Sequence, residues 1–239
     1  MEIPDMQHQV MGYDRSATMF APDGHILQVE YAEKAVKQGT ASIGINCADG
    51  VVIVAYKGFK DTLIIPESAD KIHEIDEHVI TSSAGILSDA RLLINHTRLN
   101  AQQHRVTYDS PIEVESVIRE IADIQQQYTQ HPGVRPFGVA LIVGGKQGSE
   151  TKLYTSDITG NYYEYTSVAI GENDDKIKDI LRKKYKKEMK IDDGLKLAIE
   201  IFKEVLGDKF HIERFNAAYV KKNEDKLKRL KTEELKKYA

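Results

Sequence analysis

A chain of 239 residues, 41% hydrophobic and 29% charged, has room for one large domain or two small ones and enough apolar content for a real core, which excludes a disordered or collagen-like chain. Lys and Arg number 33 against 37 Asp and Glu, a formal net charge of −4, and this acidic balance speaks against general nucleic-acid binding. The single cysteine, Cys47, excludes an internal disulfide framework and a multi-cysteine zinc site and points to a reducing compartment.

The stretch Met1–Gln7 carries neither a basic patch nor an apolar run of signal-peptide length, and no apolar run approaches the ~20 residues of a membrane span. A cytoplasmic location away from the membrane is therefore expected. Residues 1–21 are polar, rich in Met and Gln, and read as a mobile arm. Pro22-Asp23-Gly24 is a turn, because Pro presets φ and Gly tolerates a positive one. Ile26, Val29, Ala32, Ala35 and Val36 recur at steps of three and four and predict a helix, with Gly39 just past it as a left-handed cap. Ala41–Cys47 and Val51–Tyr56 flank an Asp-Gly turn and predict a hairpin. Lys71–Ile75 and His78–Ser83 predict a second one.

Two long helices are expected next. One runs from about Ile86 to His104, with Leu87, Ala90, Leu93, Ile94 and Thr97 on one face. The other opens at Ser110-Pro111, with Pro at its first position, and its face is Val114, Val117, Ile118, Ile121 and Ile124. Strands return at Phe137–Val143, Lys152–Thr155, Tyr162–Tyr165 and Ser167–Ile170, with Gly144-Gly145 and 157–161 as turns. Helices over Asn173–Lys187 and Asp192–Leu206, a last strand over Phe215–Val220 and a charged helix over Asn223–Tyr238 complete the chain. Blocks of strands and paired helices, with no Pro/Gly/Ser linker, predict one α+β domain built as a four-layer αββα sandwich.

Most chemical motifs fail. Gly144-Gly145-Lys146-Gln147-Gly148 lacks the Ser or Thr and the outer glycine of a phosphate loop. No Gly-x-Ser-x-Gly elbow occurs. The eight histidines form no H-x-x-x-H pair. His73 and His78 are predicted to point to opposite strand faces, so solvent-facing histidines and no metal site are expected. The run Arg182–Lys187 and the Lys-rich tail read either as a docking patch for acidic partners or as solvated faces, the latter favoured by Glu188, Glu224, Asp225, Glu233 and Glu234.

One long signal remains. Tyr13-Asp14-Arg15, followed by Phe20-Ala21-Pro22-Asp23-Gly24-His25-Ile26-Leu27-Gln28-Val29-Glu30-Tyr31-Ala32-Glu33-Lys34-Ala35-Val36, resembles the signature of proteasome α-type subunits. Gly39-Thr40, Ser68-Ala69-Asp70-Lys71-Ile72, Gly85 with Ser88-Asp89-Ala90-Arg91, and Tyr128-Thr129-Gln130 through Gly133-Val134-Arg135-Pro136-Phe137-Gly138 follow in order. The resemblance spans about residues 10–220 and looks most like archaeal α subunits. It implies the fold of N-terminal-nucleophile hydrolases without their activity. The segments are a gating arm (1–21), an α-type N-terminal helix (22–38), the sandwich (39–221) and a charged C-terminal helix (222–239).

The implied role is that of a seven-membered ring that caps catalytic β rings in the 20S core, a threonine protease complex. Partners would be neighbouring copies, β subunits, an AAA+ proteasome-activating ATPase or other activator, and unfolded proteins destined for ATPase-directed or ubiquitin-like-tagged degradation. No nucleic acid, membrane or cofactor is implied. Thr40 stands where β subunits carry their nucleophile and Lys71 where they carry the catalytic lysine. Yet 39 residues precede Thr40, so its nitrogen lies in a peptide bond and cannot act as the base. The supporting acid of the β type appears here as Tyr56. A protease would require a cut between Gly39 and Thr40; otherwise Thr40 is a polar residue at a helix-to-strand junction. A free-standing monomeric adaptor is a third reading.

The resemblance assigns a gate cluster to Tyr13, Asp14, Arg15, Pro22 and Tyr31, although Tyr31 also suits core packing. It assigns a pocket for activator tails to Lys71, Gly39 and Ile86. Lysine suits a terminal carboxylate, and the competing role for Lys71 is a surface ion pair with Asp70 or Glu74. A ring constriction falls at His131, Gly133 and Arg135. There the family's Tyr-Gly-Gly becomes His131-Pro132-Gly133, and Ala21 and His25 also depart from the signature.

Overall fold

The computed structural model describes residues 11–58 and 63–238. Of the expected arm, residues 1–10 lie outside the described residues. Its remainder forms a one-turn 3-10 helix at Tyr13–Arg15 and then runs to Ala21, which is buried.

Helix α1 (Leu27–Gln38) leads into strands β1 (Ser42–Cys47) and β2 (Gly50–Tyr56), then β3 (Ile72–Asp76) and β4 (Val79–Gly85). Helices α2 (Leu87–Tyr108) and α3 (Val114–Gln130) follow, then β5 (Val139–Gln147), β6 (Glu150–Ser156), β7 (Tyr162–Glu164) and β8 (Ser167–Ile170). The chain closes with α4 (Asp174–Lys184), α5 (Ile191–Leu206), β9 (Phe215–Lys221), β10 (Leu227–Leu230) and the single turn α6 (Thr232–Leu235). The strands form two five-stranded sheets, ordered β10-β9-β2-β1-β8 and β3-β4-β5-β6-β7. All their pairings are antiparallel.

The alternation of side chains along each strand divides the core into three layers. Ile43, Ile45, Val52 and Val54 face α4 and α5, where Leu195, Ile199 and Phe202 meet them. Val79, Leu141 and Val143 face α2 and α3 through Leu93, Ile94, Val117 and Ile121. Val51, Ile53, Ile80, Ile142 and Leu153 fill the space between the sheets. Both faces of each central strand are covered, which makes this the αββα sandwich expected from the sequence. No helix of the described residues is long and apolar enough to cross a membrane.

Several local expectations need correction. Gly39 adopts φ −71, ψ 146, an extended conformation and not a left-handed cap. Its lack of a side chain serves close approach: a Cβ there would stand 2.1 Å from Gly85 N. Leu87 opens α2 but is 51% exposed, off the buried face. Pro111 stands ahead of α3, whose N-cap is Glu113. Gly144 and Gly145 lie inside β5, and the turn is made at Gly148, φ +60. A Cβ on Gly145 would meet His78 O at 2.6 Å, so strand pairing uses the missing side chain.

His78 is not solvent-facing. It is 7% exposed, and its Nε2 lies 2.8 Å from Ile112 O, which joins the β3–β4 turn to the α2–α3 connection. The charged C-terminal helix is replaced by β10, which pairs with β9 from Leu227↔Val220 to Leu230↔Ala217, and by α6, anchored through buried Leu235.

Candidate functional site

Lys71 stands immediately before β3 and is 2% exposed. Its Nζ donates to Thr40 O at 2.5 Å and is in hydrogen-bond reach of Thr40 Oγ1 at 2.8 Å and, more weakly, Ser42 Oγ at 3.4 Å. Ser42 Oγ in turn lies 2.8 Å from Ser82 Oγ, linking the two sheets. Among the described residues no carboxylate pairs with Lys71. Burial without a counter-charge disfavours the ammonium, and it pulls the amine down to about 7. The surface ion pair considered for Lys71 is therefore excluded. Asp70 is engaged by Lys57 Nζ at 3.4 Å, and the contact at Glu74 is Arg98 Nε donating to its backbone oxygen.

The Lys71 amine forms the floor of a cavity of about 230 Å³ lined also by Thr40, Lys57, Gly85 and Leu87. Gly39 and Ile86, the other expected walls, are the chain neighbours of Thr40 and of Gly85 and Leu87. Gly85 (φ +115) admits no side chain, since a Cβ would stand 2.2 Å from Gly138 O. Ile86 N donates to that same oxygen at 2.9 Å. Neither Gly39 nor Ile86 lines the cavity itself; the backbone crossings of Gly39 on Gly85 and of Gly85 on Gly138 lie beside it, and Leu87 supplies its exposed apolar side.

The same geometry bears on catalysis. Thr40 has its hydroxyl 2.8 Å from Lys71, as a nucleophile beside a base would be. Its nitrogen, however, is bonded to Gly39, whose carbonyl accepts from Glu172 N at 2.7 Å. Position 56 offers a buried tyrosine ring packed 5.2 Å from Phe215, with no carboxylate.

The entry turn is a separate construction. Gly12 (φ +79) starts the Tyr13–Arg15 turn, closed by Arg15 N donating to Gly12 O at 3.1 Å. Gly24 N donates to Ala21 O at 2.8 Å, with Pro22 at the first corner and Gly24 at φ +87, so the Pro-Asp-Gly turn is as expected. Tyr31 is half-buried on α1, with Lys34 Nζ 5.3 Å from its ring centroid. His25 Nδ1 pairs with Glu30, which raises its pKa, helped by the nearby charge of Asp23. The Asp14 side chain lies outside the described residues.

The loop after α3 carries the third set. His131 caps the helix, its Nδ1 2.8 Å from Gln127 O, and Gly133 turns at φ +85 into open space. Arg135 is not a free guanidinium. It forms a fork on Asp89 at 2.7 and 2.8 Å, while Gly138 N donates to the same carboxylate at 2.9 Å. Sequence reasoning misses Asp89 and Lys57 as site residues, since their partners are 46 and 13 positions away. Buried Gly138 connects the two regions through its backbone, its N–H donating to Asp89 and its oxygen accepting from Ile86 N. The entry turn sits at the other end of α1.

Comparison with known proteins adds a separate line. Residues 36–220 match the family model for the proteasome subunit, and residues 13–35 match that for the N-terminal signature of A-type proteasome subunits. The proteasome alpha subunit of Methanothermobacter thermautotrophicus is 41% identical over 227 residues, covering 95% of this chain and 92% of the relative. That of Archaeoglobus fulgidus is 40% identical over 229 residues, covering 96% and 93%. The alpha 2 proteasome subunit of Haloarcula marismortui is 46% identical over 201 residues, covering 84% and 82%.

Proposed function

The chain belongs to the proteasome family as an α subunit of the 20S core particle, and from that membership we propose that it works without catalysis, as a ring-forming, gating and docking subunit. Seven copies assemble a ring on the β subunits. The N-terminal segment ahead of Tyr13 closes the axial entrance, and the Lys71 pocket receives the C-terminal tail of an AAA+ ATPase or other activator in the cytoplasm. Unfolded proteins then pass to the threonine protease chamber.

The observation that carries the non-catalytic reading is the state of Thr40. A hydroxyl with a lysine at 2.8 Å but with an amidated nitrogen and a tyrosine at position 56 lacks the base that N-terminal threonine chemistry requires. The lysine is then available for another task, and an amine lining a pocket beside Leu87 suits a chain-terminal carboxylate.

Native mass spectrometry of the purified chain tests this. A heptamer or double heptamer whose subunits retain the full 27.0 kDa is the expected result. Subunits beginning at Thr40 would establish self-processing and a protease instead, and a stable monomer would remove the ring.

The gate has its own test. Ordering a polar segment costs ~1–2 kcal/mol per residue, so a handful of contacts decides whether the entrance is closed. Deleting residues 2–12 is expected to raise unstimulated hydrolysis of short peptides by the assembled particle severalfold. An unchanged rate would show that these residues do not obstruct the entrance.

A further inference from the structure

The hydrogen bonds of Lys71 raise a question about its charge that the docking reading leaves open. Its three hydrogen-bond neighbours among the described residues, Thr40 O, Thr40 Oγ1 and Ser42 Oγ, are all neutral. A neutral amine satisfies the same set, with two N–H groups donated and its lone pair accepting from a hydroxyl, because Thr and Ser O–H groups rotate to suit. The network therefore does not demand the ammonium. A docked carboxylate does, since an uncharged amine offers it no ion pair and leaves the anion desolvated.

We infer that, if the pocket docks chain-terminal carboxylates as proposed above, docking at Lys71 is coupled to uptake of a proton, so that the pocket binds tails more tightly as pH falls through neutrality. The free pocket holds its amine in a mixed protonation state near pH 7. The occupied pocket holds it fully as ammonium, because an opposite charge within contact raises a lysine pKa.

The other charged groups around the amine do not supply this titration. Lys57 and Asp70 offset one another at 3.4 Å. Arg229 of β10 donates to Ile72 O at 2.8 Å. His73, two residues along, has its pKa lowered by burial and by Arg98 and Arg229 against an opposing pull from Asp70, which favours its neutral form. Glu172, behind Gly39, contributes its backbone N–H. Asp89 in the first turn of α2 is committed to Arg135 and Gly138.

The sign follows from the lowered pKa. The binding-competent ammonium predominates below about 7 and falls towards tenfold per pH unit above it. Affinity scales with the competent fraction, so it falls ~20-fold from pH 6.5 to 8.5, with about half a proton taken up per tail at pH 7.

The test uses the particle assembled from this chain and its β subunit. The probe is an N-acetylated seven-residue peptide of apolar side chains with a free C-terminal carboxylate, beside its C-terminally amidated twin. Calorimetry in buffers of different ionisation enthalpy reads both affinity and proton uptake. The expected result is a carboxylate-dependent affinity that drops ~20-fold over this range with matching uptake, and the loss of that slope in Lys71→Gln. Carboxylate-dependent binding that is flat with pH and takes up no proton overturns the coupling and leaves docking intact. A slope that persists in Lys71→Gln assigns the proton to another group and overturns it as well. No binding of the free-carboxylate peptide at pH 6.5 removes the docking reading and the coupling together.

Discussion

Lys71→Met is expected to abolish activator-stimulated degradation of whole proteins by the assembled particle while leaving short-peptide hydrolysis unchanged. A hydrogen bond to a charged group contributes ~1.5–3 kcal/mol, which is ~10- to 150-fold in affinity for each tail. An activator that engages several subunits at once loses this factor repeatedly, because its avidity is built from linked single contacts. Short peptides need no activator, so their hydrolysis reports that ring, chamber and catalytic subunits remain intact. Methionine approximates the length of the lysine stem. It removes the burden of a buried amine that has no counter-ion among the described residues, at the expense of one donor to Thr40 O, and these opposing effects leave stability within ~1 kcal/mol. Undiminished protein degradation by the variant would take the pocket away from Lys71. Loss of both activities would signal failed assembly, which native mass spectrometry recognises.

The sandwich is legible in the sequence where local pattern and tertiary role agree. Val51–Tyr56 is apolar throughout because it is covered on both faces, by α5 on one side and the second sheet on the other. The Asp-Gly turn fixes the β1–β2 register at Cys47↔Gly50. The misreadings have a common cause, which is partners distant in the chain. Leu227 and Leu230 stand three apart, as on a helix, but the free edge of β9 claims that segment as β10. Gly144-Gly145 looks like a turn in isolation. It is strand because the backbone of β4 comes close at His78. His78 itself is polar and next to a turn, yet Ile112 offers it a buried acceptor.

The candidate site is legible only through resemblance. Thr40 and Lys71 are 31 positions apart, and no composition or periodicity connects them. What the resemblance does not convey is the state of the lysine. Its near-complete burial, its neutral partners and its place in a cavity lining show only in the structure, beside the crossing of Gly39 over Gly85, a contact between two residues without side chains. The same crossing fixes the α-type helix to the sandwich, so the element carrying Tyr31 and the pocket carrying Lys71 share one joint.

Asp89→Ala is expected to loosen the loop at the opposite side of that joint and to lower stability by ~3 kcal/mol, the sum of two losses. The carboxylate, with only 10% of its side chain exposed, accepts from both Nη atoms of Arg135 and from Gly138 N. Truncation leaves the buried Gly138 N–H unsatisfied, a penalty of ~1–3 kcal/mol, and forfeits the Arg135 bonds, which count for less because that guanidinium is half-exposed. In a chain of this size each kcal/mol moves Tm by ~2–4 °C, so a drop of ~6–12 °C is the expected reading. Faster limited proteolysis between His131 and Pro136 should accompany it. Arg135→Ala leaves the bond to Gly138 N in place, and about a third of the effect is expected from it. Burial alone would push the Asp89 carboxyl up, but the hydrogen bonds from Arg135 and Gly138 more than reverse this and hold it below the usual range. Its stabilisation is therefore complete above the unfolded carboxyl pKa of ~4 and is lost as pH falls through the depressed folded value, so the gap between wild type and variant narrows on acidification. An unchanged midpoint at pH 7 would show that the loop is held by something other than this pair.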